Sequence, residues 1–306
     1  MKKLIILKNG GGELANQLWN YTSIYAYGIE IGARVQNPSF FEYHASFQFL
    51  PQEHLLTRVC TILFLRPKRR SHPLNRIGRL IYKSISSIIG ILNKDHLISS
   101  ENSTNSITYV PPTASIPQTF DGYNTIYFNG WLFRNPEGLD RHRTALIEAF
   151  RPRKHITEKV HTIVKQLRRT YRHIIGVHIR QGDYATFKGG RYLIDQKRMS
   201  EIMREYIHKH DLTPAEVGFI ITSDGSIDIN QFTGLNITVS TADAVTDLFT
   251  LSSTDAIIGS NSSFGHFAAW YGNIPHIVAT KEPIEWSYYS RQNTYFRNKY
   301  CTLAQL

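Results

Sequence analysis

From residue 173 onwards the chain alternates between short apolar runs and longer amphipathic ones. HIIGVHIR, EVGFIITSD, NITVS, AIIGSN and PHIVAT read as strands, and QKRMSEIMREYIHKH, DAVTDLFTLSSTD and SSFGHFAAWYG as helices. Strands that are apolar on both faces must be covered on both faces. With helices between them, that predicts a parallel sheet inside an α/β fold. Ligands of such sheets gather beyond the carboxyl ends of the strands. There the sequence places His178, Arg180, Asp183, Asp224, Ser260, Asn261, Ser262 and Ser263.

The 306 residues are about twice the usual ~150 of a single core, so two lobes are expected. The first opens with a strand from Lys3 to Lys8, a glycine-rich turn, a helix from about Leu14 to Ile31 and a second strand, ARVQN. From Phe40 to Asn124 the pattern reads as irregular, with one short apolar run, SISSIIGIL. TIYFNGWLF then reads as a strand and LDRHRTALIEAF as a helix. TEKVHTIVKQLRRTY is expected to lead out of the lobe, with Arg151-Pro152-Arg153 as a hinge before it. The expected division is an N-terminal lobe over 1–165 with a basic insertion at 54–94, a second lobe over 166–280, and a segment 281–306 returning to the first lobe.

Apolar residues make up 42% and charged residues 19%, a globular balance that excludes wholesale disorder. Cys60 and Cys301 form no CxxC pair and no disulfide framework, which fits a reducing compartment. MKKLIILKNGGG holds too short an apolar run for a secretory signal, and no run approaches the ~20 residues that cross a bilayer. A cytoplasmic protein is expected.

Of the net charge of +11, +9 comes from the acid-free stretch between Glu53 and Asp95: Arg58, Arg66, Lys68, Arg69, Arg70, Arg76, Arg79, Lys83 and Lys94. The remainder of the chain is nearly neutral, so binding of a polyanion over the whole surface is a poor description. One reading of this stretch is a solvated charged face. The other joins residues 58–94 with their apolar neighbours into a surface touching anionic lipid, peripheral on the inner membrane face.

Gly10-Gly11-Gly12-Glu13-Leu14-Ala15 satisfies GxGxxA after a strand and before a helix. Nicotinamide binding also needs an acid ending the second strand, and this strand runs into Asn37-Pro38. Two readings remain: a tight turn with no ligand, or a turn at Gly11 and Gly12 whose backbone lets a ligand approach, with Asn16 and Gln17 at the helix start. In VHIRQGDY, alternation puts His178 and Arg180 on one face at a strand end. A guanidinium there suits a diphosphate bidentately, with Asp183 orienting it or meeting the substrate; the plain alternative is an Arg–Asp pair bracing a loop. Ser262-Ser263-Phe264 opens a helix, either as a routine cap or as an anion site. Asp224 before Gly225 is a turn residue or an acceptor for a base or ribose. The chain has no DxD for a metal-bound diphosphate, no GxSxG elbow and no GxxxxGK[ST] loop.

GGELANQLWNYTSIYA resembles the GGLGNQxFQYAxA opening of bacterial α-1,2-fucosyltransferases, glycosyltransferase family eleven. VHIRQGDY resembles their HxRRGDY, FIITSDG their FxSDD, and DLFTLSSTDAIIGSNSSFGHFAAWYG their DLxLMSxCxxxIxANSSFSWWxAWL, all in the family's order. The resemblance implies a GT-B-like fold of two Rossmann-like lobes facing a cleft. It also implies inverting transfer of L-fucose from GDP-β-L-fucose to a galactoside hydroxyl in α-1,2 linkage, with no cofactor and no metal. Carried over by position, Arg180 binds the diphosphate and steadies departing GDP, and His178 and Asp224 lie near the nucleoside. Ser262, Ser263 and Phe264 cap the phosphates, and Asn16 faces the fucose or diphosphate. By position Asp183 is the carboxylate best placed to act as base; the alternative is that it braces Arg180 while a phosphate oxygen takes the proton. The chain departs from the family at Gln181 for the second Arg, Gly225 for the second Asp, Ala15 for the Gly of GNQ, and Gly265-His266-Phe267 for SWW. Expected partners are GDP-fucose and a galactose-terminated or lipid-linked glycan, not nucleic acid. The alternatives are a GT-B transferase of another nucleotide sugar and a non-catalytic protein binding nucleic acid or a lipid surface.

Overall fold

Strands whose neighbours are far along the chain need crossovers, and both sheets here are built that way. The computed structural model describes residues 3–9, 11–48, 73–92, 96–99, 108–109, 125–130 and 133–286. They fall into two compact units, Met1–Arg153 and Lys154–Leu306.

In the first unit the elements run β1 (Leu4–Asn9), α1 (Leu14–Glu30), β2 (Arg34–Gln36), α2 (Phe41–His44), α3 (Pro73–Leu92), β3 (His96–Ser99), β4 (Thr108–Tyr109), β5 (Thr125–Asn129), β6 (Phe133–Arg134), α4 (Pro136–Arg141) and α5 (Arg143–Ala149). A four-stranded parallel sheet has the order β2-β1-β5-β3. Helix α1 is buried on nearly all sides, which explains why Asn20 and Thr22 must find partners inside. Asn20 does so by donating to the Gly130 carbonyl (3.1 Å) and accepting from the Phe133 amide (3.0 Å), which fixes the chain leaving β5. The expected single helix LDRHRTALIEAF is two helices parted at His142. Asn135 starts the first of them by accepting from the Gly138 amide, with Pro136 at its first position, where a missing N–H costs nothing.

The region expected to be irregular contains the 20-residue helix α3. Its buried side rests on β1 through Tyr82, whose hydroxyl donates to the Lys8 carbonyl at 2.6 Å and whose ring packs on Phe41. Arg79 pairs with the Glu42 carboxylate at the same seam. Within the basic insertion, residues 54–72 and Lys94 lie outside the described residues.

The second unit runs α6 (Lys154–Arg168), β7 (His173–Ile179), α7 (Gln196–Lys209), β8 (Val217–Ser223), β9 (Ile237–Val239), α8 (Ala244–Leu251), β10 (Ala256–Gly259), α9 (Ser263–Gly272) and β11 (His276–Val278). Five parallel strands take the order β11-β10-β7-β8-β9. Side chains alternate across β7: Ile175, Val177 and Ile179 join the core with Met199, Ile202 and Met203 of α7, while Ile174 packs with Leu167 of α6. Both faces are covered, as continuous apolar strands require. Helix α6, expected to close the first lobe, belongs to the second unit, so the division falls at Arg153 and not after residue 165. The reason is its apolar stripe of Ile156, Val160 and Leu167, which is buried within that unit. Ile284 and Trp286 pack into the same unit's core, and residues 287–306, expected to return to the first lobe, lie outside the described residues.

Candidate functional site

Chain order and sheet order part company between β7 and β10, because the chain builds β8 and β9 on one side of β7 before crossing to the other. The loops leaving the carboxyl ends of these two strands diverge to opposite faces and leave a crevice between them. The Arg180 amide donates to the Ser260 hydroxyl across this point at 3.0 Å, and the Tyr184 hydroxyl donates to the Asn261 carbonyl at 2.7 Å. The two loops are thus fixed to each other.

Arg180 is the cation at the middle of the arrangement among the described residues. Its Nε and one terminal nitrogen both reach Asp183 Oδ1 at 2.9 Å, and the other terminal nitrogen reaches Asp224 Oδ2 at 3.1 Å. Its guanidinium carbon lies 5.8 Å from the Tyr184 ring centre. Asp224 is itself tied down, accepting from the Gln181 amide at 2.7 Å, whereas the Asp183 side chain is 60% exposed. Burial first, then the neighbouring carboxylates, push the Tyr184 phenol up to about 12 against the opposing pull of Arg180, so it stays a neutral donor.

His178 lies buried on the α9 side, its ring stacked on Phe264 at 4.9 Å and its Nδ1 3.3 Å from the Ser262 hydroxyl. Burial, and then the Arg180 charge, lower its pKa to about 4. His178 therefore brings shape and a hydrogen bond to the crevice, and the charge there comes from Arg180 and its two carboxylate partners. Ser262 caps α9 by accepting from the Phe264 amide (3.3 Å), leaving the first-turn N–H groups of α9 at the mouth beside Ser263.

Behind this helix start runs a second row of groups. The Asn261 side-chain oxygen lies 3.2 Å from His266 Nε2, and His266 Nδ1 lies 2.9 Å from His276 Nδ1. An amide oxygen only accepts, so Nε2 of His266 carries the proton, its Nδ1 accepts, and Nδ1 of His276 donates. Burial first and His178 second lower His266 to about 3, and burial holds His276 well below its ordinary value. The row is neutral.

Two of the family departures touch. A Cβ on Gly225 would stand 3.0 Å from Gln181 Cδ and Nε2. The Gln181 amide group is anchored there, donating to the Ser223 hydroxyl and the Ser226 carbonyl at 2.9 Å each. The two positions thus form an uncharged pair packed side by side.

The structure thus brings together His178, Arg180, Asp183, Asp224, Ser262, Ser263 and Phe264 in the second unit. Gly11, Gly12 and Asn16 lie in the first, at the end of β1. Gly12 holds φ +76°, and a Cβ there would meet the Asn16 side chain at 2.5 Å, so the turn needs glycine twice over. Gln17 closes it by donating to the Gly12 carbonyl at 3.1 Å. Reading by motif missed Tyr184, Ser260 and Asn261 as clamps and the His266–His276 row. The one available signal was a histidine standing in the place of a family tryptophan. Among the described residues no three His, Cys, Asp or Glu side chains are grouped to hold a metal ion.

No family model matches the sequence, and no curated protein matches it. Solved structures do. POFUT1 in complex with GDP-fucose is 12% identical at TM-score 0.55, over 92% of this chain and 96% of that one. The NodZ α-1,6-fucosyltransferase with GDP is 16% identical at TM-score 0.54, over 92% and 97%. A FUT1 mutant from Arabidopsis thaliana with GDP is 12% identical at TM-score 0.51, over 91% and 70%. The chain has the fold of these fucosyltransferases. The expected GT-B-like α/β class is the observed one.

Proposed function

We propose that this chain is a fucosyltransferase that moves L-fucose from GDP-β-L-fucose to a galactoside hydroxyl, in α-1,2 linkage with inversion and without a metal. The observation that carries the reading is the guanidinium of Arg180 set at the β7/β10 crevice beside the serine-capped start of α9. The shared fold supports the donor class, since GDP or GDP-fucose is bound in those neighbours.

In the reaction the acceptor oxygen attacks C1 of the fucose, the bond from C1 to the β-phosphate oxygen breaks, and GDP leaves with that electron pair. The charge to be stabilised grows on the β-phosphate. Arg180 sits between two carboxylates, so donor binding exchanges one of them for phosphate oxygens. Asp183 is the one that turns out, because Asp224 is held by the Gln181 amide and keeps the guanidinium oriented. Asp183, once released, is a carboxylate in position to take the acceptor's proton. Ser262, Ser263 and the α9 N–H groups take the remaining oxygens, and Phe264 with His178 forms the wall for the nucleoside. Gly11, Gly12 and Asn16 of the first unit are the residues that the motif resemblance assigns to the sugar. The acceptor is a galactose-terminated or lipid-linked glycan, met on the cytoplasmic side at the inner membrane face.

Removing one preorganised donor to a developing anion costs about 3 kcal/mol, a hundredfold or more in rate. Arg180→Ala should therefore lose at least about a hundredfold in kcat with GDP-fucose and lactose. Survival of activity within a fewfold overturns the assignment. Thermal-shift measurements with GDP, GMP, UDP and an oligonucleotide test the ligand class, and stabilisation by GDP alone is expected. Turnover of GDP-mannose in preference to GDP-fucose, or loss of turnover on chelation, would refute the donor or the metal-free chemistry respectively.

A further inference from the structure

Helix α3 gathers its apolar residues along one broad face, and among the described residues only part of the helix is packed. Gly78, Tyr82 and Ser86, one turn apart, are buried towards the first unit, with the Tyr82 hydroxyl on Lys8 and Arg79 on Glu42 fixing the rotation of the helix about its axis. Ile77, Leu80, Ile81 and Ile88 project from the remainder of that face and are 50%, 66%, 41% and 57% exposed. Their spacing of three, one and seven residues keeps them on a single stripe, with Ser84 filling the gap. Arg76 and Lys83, both exposed, flank the stripe on the edge between it and the packed side. No helix among the described residues is long and apolar enough to cross a membrane.

We infer that this face of α3 lies on an anionic bilayer, with Ile77, Leu80, Ile81 and Ile88 entering the boundary between headgroups and acyl chains while Arg76 and Lys83 meet lipid phosphates. Charge complementarity selects this occupant. The stretch from Glu53 to Asp95 has nine basic residues and no acid between those two ends. A second copy of the chain would oppose its own positive charge. A nucleic acid would use the charge and leave the apolar stripe in water. An anionic lipid surface satisfies both, and a helix of 20 residues, about 30 Å long, lies along it without spanning it. The inference does not depend on the donor or the acceptor, because vesicle binding is read without either.

The test is co-sedimentation of the full chain with vesicles of phosphatidylcholine alone and of phosphatidylcholine mixed with phosphatidylserine. The protein should pellet with the mixed vesicles, and added salt should release it. The double change Leu80→Ser, Ile88→Ser should weaken binding by about tenfold or more. Arg76→Gln with Lys83→Gln should weaken it at low salt and flatten the salt dependence. Unchanged thermal unfolding in the variants shows that they are folded, as expected for outward-facing positions. Equal pelleting with neutral vesicles, full binding by the serine variant, or a native dimer that this variant converts to monomer would each overturn the inference. The last of these would assign the face to self-association.

Discussion

A histidine kept neutral by burial is a hidden acid sensitivity, and His178, His266 and His276 put three of them behind one helix start. Unfolding returns each to an ordinary value near 6.5, where it takes up a proton that the native state refuses. The sign follows: their contribution to stability is complete above about pH 6.5 and is lost as pH falls towards the native values of about 4 for His178 and about 3 for His266. Each proton taken up contributes about 1.4 kcal/mol per pH unit in that window. Urea midpoints measured from pH 7 to pH 5 should therefore fall steeply, and His266→Gln should make the fall shallower by about one proton's share. Gln181 and Gly225 give a second residue-level expectation. Gly225→Ala should cost about 1–3 kcal/mol by crowding the anchored Gln181 amide, and Gln181→Ala in the same chain should recover part of it, a coupling read in a double-mutant cycle. At this scale the sequence shows the Arg180–Asp183 pair, because both residues sit in the one motif VHIRQGDY. It does not show Tyr184 on Asn261, 77 positions apart, or the pairing of His266 with His276, since neither follows from local spacing.

Among the elements, α8 carries the clearest internal conflict. Burial raises the Asp247 pKa to about 6, while the Ser240 hydroxyl, 2.5 Å away, pulls it down. A carboxyl raised above its unfolded value binds its proton more tightly when folded. Stability from this group is therefore present at low pH and is lost as pH rises from about 4 through about 6. Asp247→Asn keeps an acceptor for Ser240 and removes the charge, so it should raise the melting temperature at pH 8, with the gain vanishing near pH 4. The cap at the start of this helix works the other way. Asp243 accepts from the Val245 and Thr246 amides at 3.1 and 3.0 Å, and Asp243→Ala should cost about 1–2 kcal/mol in denaturant unfolding. Strands β7, β8 and β10 announce themselves as apolar runs. Helix α3 does not, because Gly78, Ser84, Ser86 and Ser87 interrupt its apolar run and lower helix propensity.

At the level of the whole chain, the second unit follows from its alternation of strands and helices, and the order β11-β10-β7-β8-β9 places the crevice where such sheets bind ligands. The first unit is harder to infer, since its β1 and β5 pair across more than a hundred residues and the stretch between them carries little periodicity. A ligand held only in the second unit's crevice should stabilise by about 2.7 kcal/mol at a hundredfold excess over its Kd. Hydrogen exchange with GDP should slow in peptides covering 178–184 and 260–266, and equal slowing across both units would speak for a second contact at Gly11, Gly12 and Asn16.

One hydroxyl joins two otherwise separate concerns of the molecule. The Tyr82–Lys8 contact ties the lipid-facing helix to the strand from which the glycine turn emerges. Adhesion to a membrane would thereby hold that turn at a set height above the headgroups, so that a glycan carried on a lipid anchor would be judged by its reach as well as by its sugars.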